Sequence, residues 1–273
     1  MSQLKIKEKK NPLSFLANLI TVLILVVAIG VCAYAGGNLY KIFTEYKAGS
    51  DEYAKISDMV VTEKKADVED ETWVDKETKK KAWTAPMEVD CKKLAEINPD
   101  FVGWLYVEAL PDISYPMVHY KDNDFYLHRT FEKQDNFAGT IFTDYQNKKK
   151  LEDSNTIIYG HNMKNGTMFG QLKQFRDPET IKKSKYIWIM TADEVYKYEI
   201  FSCYTAEVGS DTYTLIKGPG KGLVEYGEKM QAKDTIGLPK REFDVKDKII
   251  TLSTCTGNEA TRYVVQAVKV GPE

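Results

Sequence analysis

The feature that most constrains this chain is an uncharged apolar segment close to its N-terminus. No charged residue occurs between Lys10 and Lys41, and the stretch Leu13–Ala35 is almost entirely apolar. A helix rises about 1.5 Å per residue, so this stretch is long enough to cross a hydrocarbon core of about 30 Å. We therefore predict a transmembrane anchor over residues 13–35.

The residues in front of this segment bear on its orientation and on whether it is removed. Residues 1–12 form a basic tail with lysines at positions 5, 7, 9 and 10, and the positive-inside rule places such a tail in the cytoplasm. A cleaved signal peptide also starts with basic residues, but its apolar region is usually about 7–15 residues long, which is shorter than this one. We expect an uncleaved type II anchor with the rest of the chain outside the cell, and a signal peptide is the alternative.

Beyond the anchor the sequence divides into a charged segment and a globular one. Residues 36–88 contain charged runs such as Glu63-Lys64-Lys65 and few apolar residues, so we predict a charged stalk or linker that is helical in part. Residues 89–273 are predicted to form the folded domain. This domain should open with a short helix, Cys91–Ile97, capped by Asp90.

The globular segment is mainly strand-like. Eight stretches rich in β-branched and aromatic residues are candidate strands: Trp104–Val107, Ile113–Val118, Thr140–Phe142, Thr156–Tyr159, Lys185–Met190, Val195–Thr205, Lys248–Thr254 and Tyr263–Val270. Short helices at Glu179–Lys183 and Gly222–Lys233 interrupt the series. Many short strands with few helices predict a mainly β domain, a small closed or nearly closed barrel with short peripheral helices.

Charge and cysteine spacing argue against several classes of function. The formal net charge is -2 and no basic domain stands out, so we expect no nucleic-acid partner. The four cysteines include no CxxC pair and no dense framework, which argues against a zinc site and against a disulfide scaffold. His119 and His128 lack the spacing of metal ligands. We therefore expect neither a metal nor a cofactor.

The last two candidate strands place a cysteine beside an arginine. Cys255 follows the strand Lys248–Thr254, and the loop Thr256–Thr261 returns the chain to Arg262. If the strands pair as an antiparallel hairpin, Cys255 and Arg262 become neighbours. A guanidinium there can favour a thiolate, or stabilise the oxyanion that forms when the thiolate attacks a carbonyl. The alternative is a buried core cysteine next to a surface arginine.

A histidine at the end of a strand is the third candidate for chemistry. The strand Thr156–Tyr159 runs into Gly160, which permits a sharp exit, and His161 follows. A histidine at such a junction is well placed to shuttle protons. A hydrogen-bonded structural imidazole is the alternative, because sequence order does not say whether His161 reaches Cys255.

Together these residues form a pattern that resembles the sortases. The resemblance rests on Ile158–Met163, on Thr251–Cys255 and on Arg262 in a following apolar strand. Agreement with class B sortases in particular extends over five further stretches: Asn98–Leu105, Ile113–Val118, Asp122–Leu127, Gly139–Tyr145 and Thr167–Phe169. The match covers nearly the whole domain from about residue 90.

The resemblance implies a fold and a reaction. The fold is an eight-stranded sortase-type β-barrel behind a type II membrane anchor. In the reaction, Cys255 attacks the carbonyl of a Thr–X bond in the C-terminal sorting signal of a surface protein, His161 protonates the leaving amine, and a thioacyl-enzyme results. An amine from a cell-wall peptide, or a protein lysine, then resolves this intermediate. Arg262 would hold the substrate carbonyl or the oxyanion.

The resemblance also implies secondary candidates for substrate binding: Tyr159, Ser253 and Asn123. Ser253 shares a strand face with Cys255 by the two-residue period of a strand. The long connection between Thr205 and Lys248 is expected to form a wall of the groove leading to the cysteine, and a helix that merely covers the barrel is the alternative.

Two other functions are kept as alternatives. In a membrane-tethered cysteine hydrolase, water rather than an amine would resolve the acyl-enzyme. In a non-catalytic surface ectodomain, Cys255 would be inert towards thiol reagents.

Overall fold

A computed structural model describes residues 12–63, 72–74 and 81–271, so the predicted basic tail lies outside the described residues except for its last position. The chain divides into two compact units, Met1–Ala48 and Gly49–Glu273. The first helix, α1, is Pro12–Val60 and includes the predicted anchor. Its apolar part is long enough to cross a membrane, and none of the side chains in its most apolar stretch is buried.

The described strands and helices follow one another along the chain as short elements. The strands are β1 (Val61–Glu63), β2 (Thr72–Val74), β3 (Lys81–Trp83), β4 (Met87–Val89), β5 (Phe101–Val107), β6 (Ser114–His119), β7 (Ile141–Thr143), β8 (Asn155–Tyr159), β9 (Tyr186–Met190), β10 (Val195–Glu207), β11 (Ile249–Cys255) and β12 (Thr261–Val270). The other α-helices are α2 (Cys91–Ile97), α3 (Pro178–Lys183) and α4 (Lys221–Gln231). Short 3-10 helices occupy Phe125–Leu127, Leu172–Arg176 and Asp211–Tyr213.

Within the described residues, eight strands close into one barrel. Their order around the barrel is β10-β12-β11-β8-β7-β6-β5-β9, and β9 pairs back onto β10. Most neighbours are antiparallel, whereas β6 with β7 and β8 with β11 run parallel. The predicted mainly β fold is confirmed, and each of the eight candidate strands is a barrel strand. The largest shift is in β5, which begins at Phe101 rather than at Trp104.

Buried side chains lie on both faces of the barrel strands. Trp104 and Leu105 on β5 and Leu252 on β11 are fully buried. Because successive side chains of a strand point to opposite faces, one of Trp104 and Leu105 points into the barrel and the other is covered from outside. The predicted helix at residues 222–233 is α4, and its apolar face packs on the barrel through Leu223 and Met230. Helix α2 begins and ends where the sequence predicts, with the Asp90 carboxylate accepting a hydrogen bond from a backbone amide of its first turn.

The folded unit also takes in chain that lies upstream of residue 89. Tyr53, Ile56 and Val60, on the last turns of α1, are buried, and β1 pairs with β4. The compact unit accordingly begins at Gly49, inside the segment predicted as a stalk. Apolar residues are sparse there, but these three stand at the i, i+3, i+7 spacing that gives a helix one buried stripe. Residues 64–71 and 75–80 of that segment lie outside the described residues.

Candidate active site

The C-terminal hairpin sets Cys255 beside Arg262. Cys255 is the last residue of β11, and its Cα pairs with that of Arg262 on the antiparallel strand β12. Strand β11 is buried up to Thr254, whereas Cys255 is exposed. The barrel therefore ends at a thiol that a substrate can reach, next to a permanently cationic guanidinium.

Parallel pairing of two strands that are distant in sequence brings His161 to the same edge. Ser253 on β11 pairs with Tyr159 on β8, and both strands point the same way. The alignment continues past the strand, because the Gly160 amide donates to the Ser253 carbonyl at 3.2 Å. Continued for two residues beyond the Tyr159–Ser253 pair, this register would put His161 opposite Cys255, and both residues line one cavity. The segments Tyr159-Gly160-His161 and Ser253-Thr254-Cys255 thus leave the barrel side by side.

A cavity of about 420 Å³ lies at this edge of the barrel. All six residues singled out from the sequence line it: Asn123, Tyr159, His161, Ser253, Cys255 and Arg262. The Leu127, Phe142 and Tyr213 side chains add apolar surface. Such a mostly apolar cleft with a few convergent polar groups is the usual form of a ligand site.

The imidazole of His161 is held in one tautomer by its environment. Its Nε2 lies 2.7 Å from the carbonyl oxygen of Leu127. A carbonyl can only accept, so Nε2 carries the hydrogen and Nδ1 is the nitrogen that can exchange a proton. Burial lowers the pKa of His161, the hydrogen bond to Leu127 acts in the opposite direction, and nearby His128 lowers the pKa further.

The guanidinium of Arg262 is fixed by the loop that separates it from Cys255. Its Nη1 donates to the carbonyl oxygens of Glu259 and Thr261, both at 2.9 Å. Its Nε and Nη2 hold no hydrogen bond within the part of the chain that the structure describes. These donors can bind a substrate carbonyl or a developing oxyanion.

A buried aspartate that the sequence analysis did not single out organises one wall. The Asp144 carboxylate accepts hydrogen bonds from the Asn123 amide at 2.9 Å and from the Tyr159 hydroxyl at 3.0 Å. The Asn123 side-chain oxygen accepts from the Tyr145 amide at 2.9 Å, which fixes the orientation of the Asn123 amide. Burial, followed by the neighbouring Asp144 carboxylate, raises the pKa of Tyr159, so its phenol stays neutral and donates.

The connection between β10 and β11 also lines the cavity, as expected, but through its first residues rather than through its helix. Tyr213 stacks on Tyr159 with ring centroids 6.4 Å apart, and its hydroxyl hydrogen-bonds Ser253 at 2.9 Å. Val208 also lines the cavity, whereas α4 covers the barrel. The sequence analysis missed Tyr213, because a tyrosine in a long loop has no periodicity that indicates its position.

Three comparisons with known proteins agree on one family. A family model described as the sortase domain matches residues 105–270. This chain belongs to the sortase family. Sortase B of Listeria monocytogenes is 35% identical over 188 residues, which cover 65% of this chain and 72% of that protein.

Solved structures of class B sortases have the same fold. The crystal structure of sortase B from Bacillus anthracis in complex with AAEK1 matches with a TM-score of 0.67 at 31% identity, covering 85% of this chain and 100% of that one. Clostridium perfringens sortase B matches with a TM-score of 0.61 at 34% identity, covering 66% of this chain and 98% of that one. The chain is thus a sortase B-type cysteine transpeptidase, an enzyme class that acts on surface proteins with sorting signals and uses amine acceptors.

Proposed function

We propose that Cys255 is the nucleophile of this transpeptidase and that His161 and Arg262 are its catalytic partners. The observation that supports this most is the shared edge of the barrel, where the β11–β12 hairpin and the parallel β8–β11 pair converge on one cavity. Cys255 is the one cysteine that lines this cavity among the described residues, and Cys91 and Cys203 are buried elsewhere.

In the acylation step, the Cys255 thiolate attacks the carbonyl carbon of a Thr–X bond in a C-terminal sorting signal. The C–N bond breaks, and the leaving amine takes a proton from Nδ1 of His161. Nδ1, which the Leu127 carbonyl leaves unoccupied, had received this proton from the Cys255 thiol when the thiolate formed. The N–H donors of Arg262 stabilise the oxyanion of the tetrahedral intermediate. The product is a thioester between Cys255 and the threonine carbonyl.

In the second step, an amine from a cell-wall peptide or a protein lysine attacks this thioester. His161 takes up the proton of the attacking amine, and the thiolate leaves. Asn123, Tyr159 and Ser253 are proposed to bind the sorting signal, since all three line the cavity and each has a fixed hydrogen-bonding partner.

The apolar part of α1 is proposed to anchor the enzyme as a type II membrane protein, with the catalytic domain extracellular. This is supported by the uncharged helix and by the lysines that precede it. An extracellular site is also where sorting signals and cell-wall amines would meet.

The test is turnover of peptides that contain a Thr–X bond, with and without an added amine. Cys255→Ala should be inactive, and His161→Ala should lose about 10²–10⁴-fold in rate. The matched control is Cys203→Ala, which makes the same atomic change at a buried site away from the cavity and should keep its activity. An amide product with the added amine indicates transpeptidation, whereas a free acid alone indicates a hydrolase. Activity in Cys255→Ala would refute the assignment.

A further inference from the structure

The last turns of α1 contact the loop between Leu127 and Gly139, whose Leu127 carbonyl accepts the hydrogen bond of the His161 imidazole. We call residues 49–60 the basal segment; it belongs to the same compact unit as the barrel. The Tyr53 hydroxyl donates to the Gly139 carbonyl at 2.6 Å and lies 3.2 Å from Thr140 Oγ1. Tyr53 is buried, and a buried phenol with a short hydrogen bond to a main-chain carbonyl fixes that stretch of backbone.

Gly139 lies between Tyr53, which binds its carbonyl, and the imidazole of His161. It has φ +61°, in the left-handed region that favours glycine. A Cβ at this position would lie 2.8 Å from the Leu127 carbonyl oxygen and 3.1 Å from Cδ2 of His161. The Leu127 oxygen is the same atom that accepts the Nε2 hydrogen of His161. The two stretches are also joined directly, because the Thr140 amide donates to the Tyr126 carbonyl at 2.9 Å, next to Leu127.

A second route from Tyr53 reaches the residues that follow His161. The rings of Tyr53 and Tyr115 meet edge to face, with centroids 5.4 Å apart. The Tyr115 hydroxyl accepts from the Met168 amide at 3.1 Å, and the adjacent Phe169 amide donates to the His161 carbonyl at 2.9 Å. Tyr53 thus supports both the acceptor of the imidazole and the backbone that carries it.

The basal segment contacts the same loop at further points. The Glu52 carboxylate accepts a hydrogen bond from the Glu132 amide at 2.9 Å, and Lys55 lies 3.6 Å from the Glu132 carboxylate. A Cβ on Gly49 would lie 3.2 Å from the Asn136 side-chain oxygen. Together with the Tyr53 hydrogen bond, these contacts join the basal segment to the second half of the loop, at Glu132, Asn136 and Gly139.

We propose that Tyr53 is a positioning residue for His161, and that the end of the membrane-anchor helix is part of the active-site scaffold. The hydroxyl holds the Gly139 carbonyl, and the amide of the next residue, Thr140, holds the backbone beside Leu127 through the Tyr126 carbonyl. The Leu127 carbonyl in turn keeps the hydrogen of His161 on Nε2. This inference rests on the proposed role of His161 as the proton carrier. A tyrosine that only attached the helix to the barrel would stabilise the fold without selecting a tautomer.

The test compares Tyr53→Phe with Ser202→Ala in the full chain, purified in detergent micelles. Both changes remove one buried hydroxyl that donates to a main-chain carbonyl, and Ser202 donates to Met230 at 2.8 Å, away from the cavity. The Phe ring preserves the edge contact with Tyr115, so the comparison isolates the hydroxyl. Turnover is measured as kcat and KM. The tautomer is read from the ¹⁵N spectrum of the imidazoles, with His161→Ala identifying the His161 signals among the three histidines.

We expect Tyr53→Phe to lose about tenfold in kcat with KM unchanged, because a small misplacement of a catalytic group is costly while the substrate contacts remain. Its His161 spectrum should show a mixture of tautomers, whereas Ser202→Ala should keep both wild-type kcat and the Nε2–H form. A Tyr53→Phe spectrum identical to wild type overturns the proposal, whatever its turnover. If His161→Ala itself retains wild-type turnover, the proposed function fails instead.

Discussion

Gly160, between Tyr159 and His161, offers a sharp test of how tightly the site is built. A Cβ at this position would lie 2.5 Å from Ile141 Cδ1 and 2.7 Å from Phe169 Cδ2. Carbon atoms normally pack at about 3.5–4.0 Å, so the overlap is about 1 Å with each neighbour. Both neighbours are fully buried, which leaves them little room to move aside.

Gly160→Ala should therefore destabilise the domain as overpacked core substitutions do, by about 1–3 kcal/mol. For a domain of this size, that corresponds to a fall in Tm of roughly 2–12 °C. Turnover should fall as well, because displacing Phe169 moves the amide that donates to the His161 carbonyl.

The assay is guanidinium unfolding of the full chain, with peptide turnover measured on the same preparations. The matched control is Gly218→Ala, because a Cβ there meets no atom within 4 Å. The control should unfold at the wild-type midpoint and retain its activity. If Gly160→Ala unfolds at that same midpoint with wild-type turnover, the reasoning about packing behind the site is incorrect.

Three further predictions concern charge and topology. Arg262→Lys should lose most turnover, because an ammonium cannot reproduce a planar guanidinium, and near-normal kcat/KM would contradict this role. Burial lowers the pKa of His161 below 6.5, so as the pH falls the unfolded chain binds this proton before the folded chain does. The free energy of unfolding should therefore decrease as the pH drops below 6.5. Denaturant unfolding midpoints measured against pH check this, because the decrease should be shallower in His161→Ala. Protease added to intact protoplasts should release the domain, and a protected domain would refute the type II orientation.

Local pattern was enough to predict the strands and the hairpin. The segments before Cys255 and after Arg262 are rich in β-branched residues and are joined by a short loop, so their pairing depends on neighbouring sequence alone. The approach of His161 to Cys255 could not be predicted in this way. It depends on parallel pairing of β8 with β11, which are far apart in the sequence and have no turn to set their register.

Other features became visible only in three dimensions. Asp144 and Tyr213 act through partners on distant segments, the carboxylate through Asn123 and the phenol through Ser253. The start of the folded unit at Gly49 could not be predicted from composition either, because the predicted stalk that contains Tyr53 is rich in charged residues. Whether a helical stripe of three apolar residues is buried depends on the surface against which it packs, and the sequence does not reveal that surface.

The most direct test of the account is the covalent intermediate on Cys255. The full chain is incubated with a library of peptides that contain a Thr–X bond, without an amine, and is then analysed by intact mass and peptide mapping. We expect a mass increase equal to the acyl part of a cleaved peptide, and peptide mapping should locate this acyl group on Cys255. Cys255→Ala should show no adduct, and an added amine should release the acyl group from the wild-type enzyme. Peptide cleavage without a thioester at Cys255, or an adduct that persists in Cys255→Ala, would contradict the account.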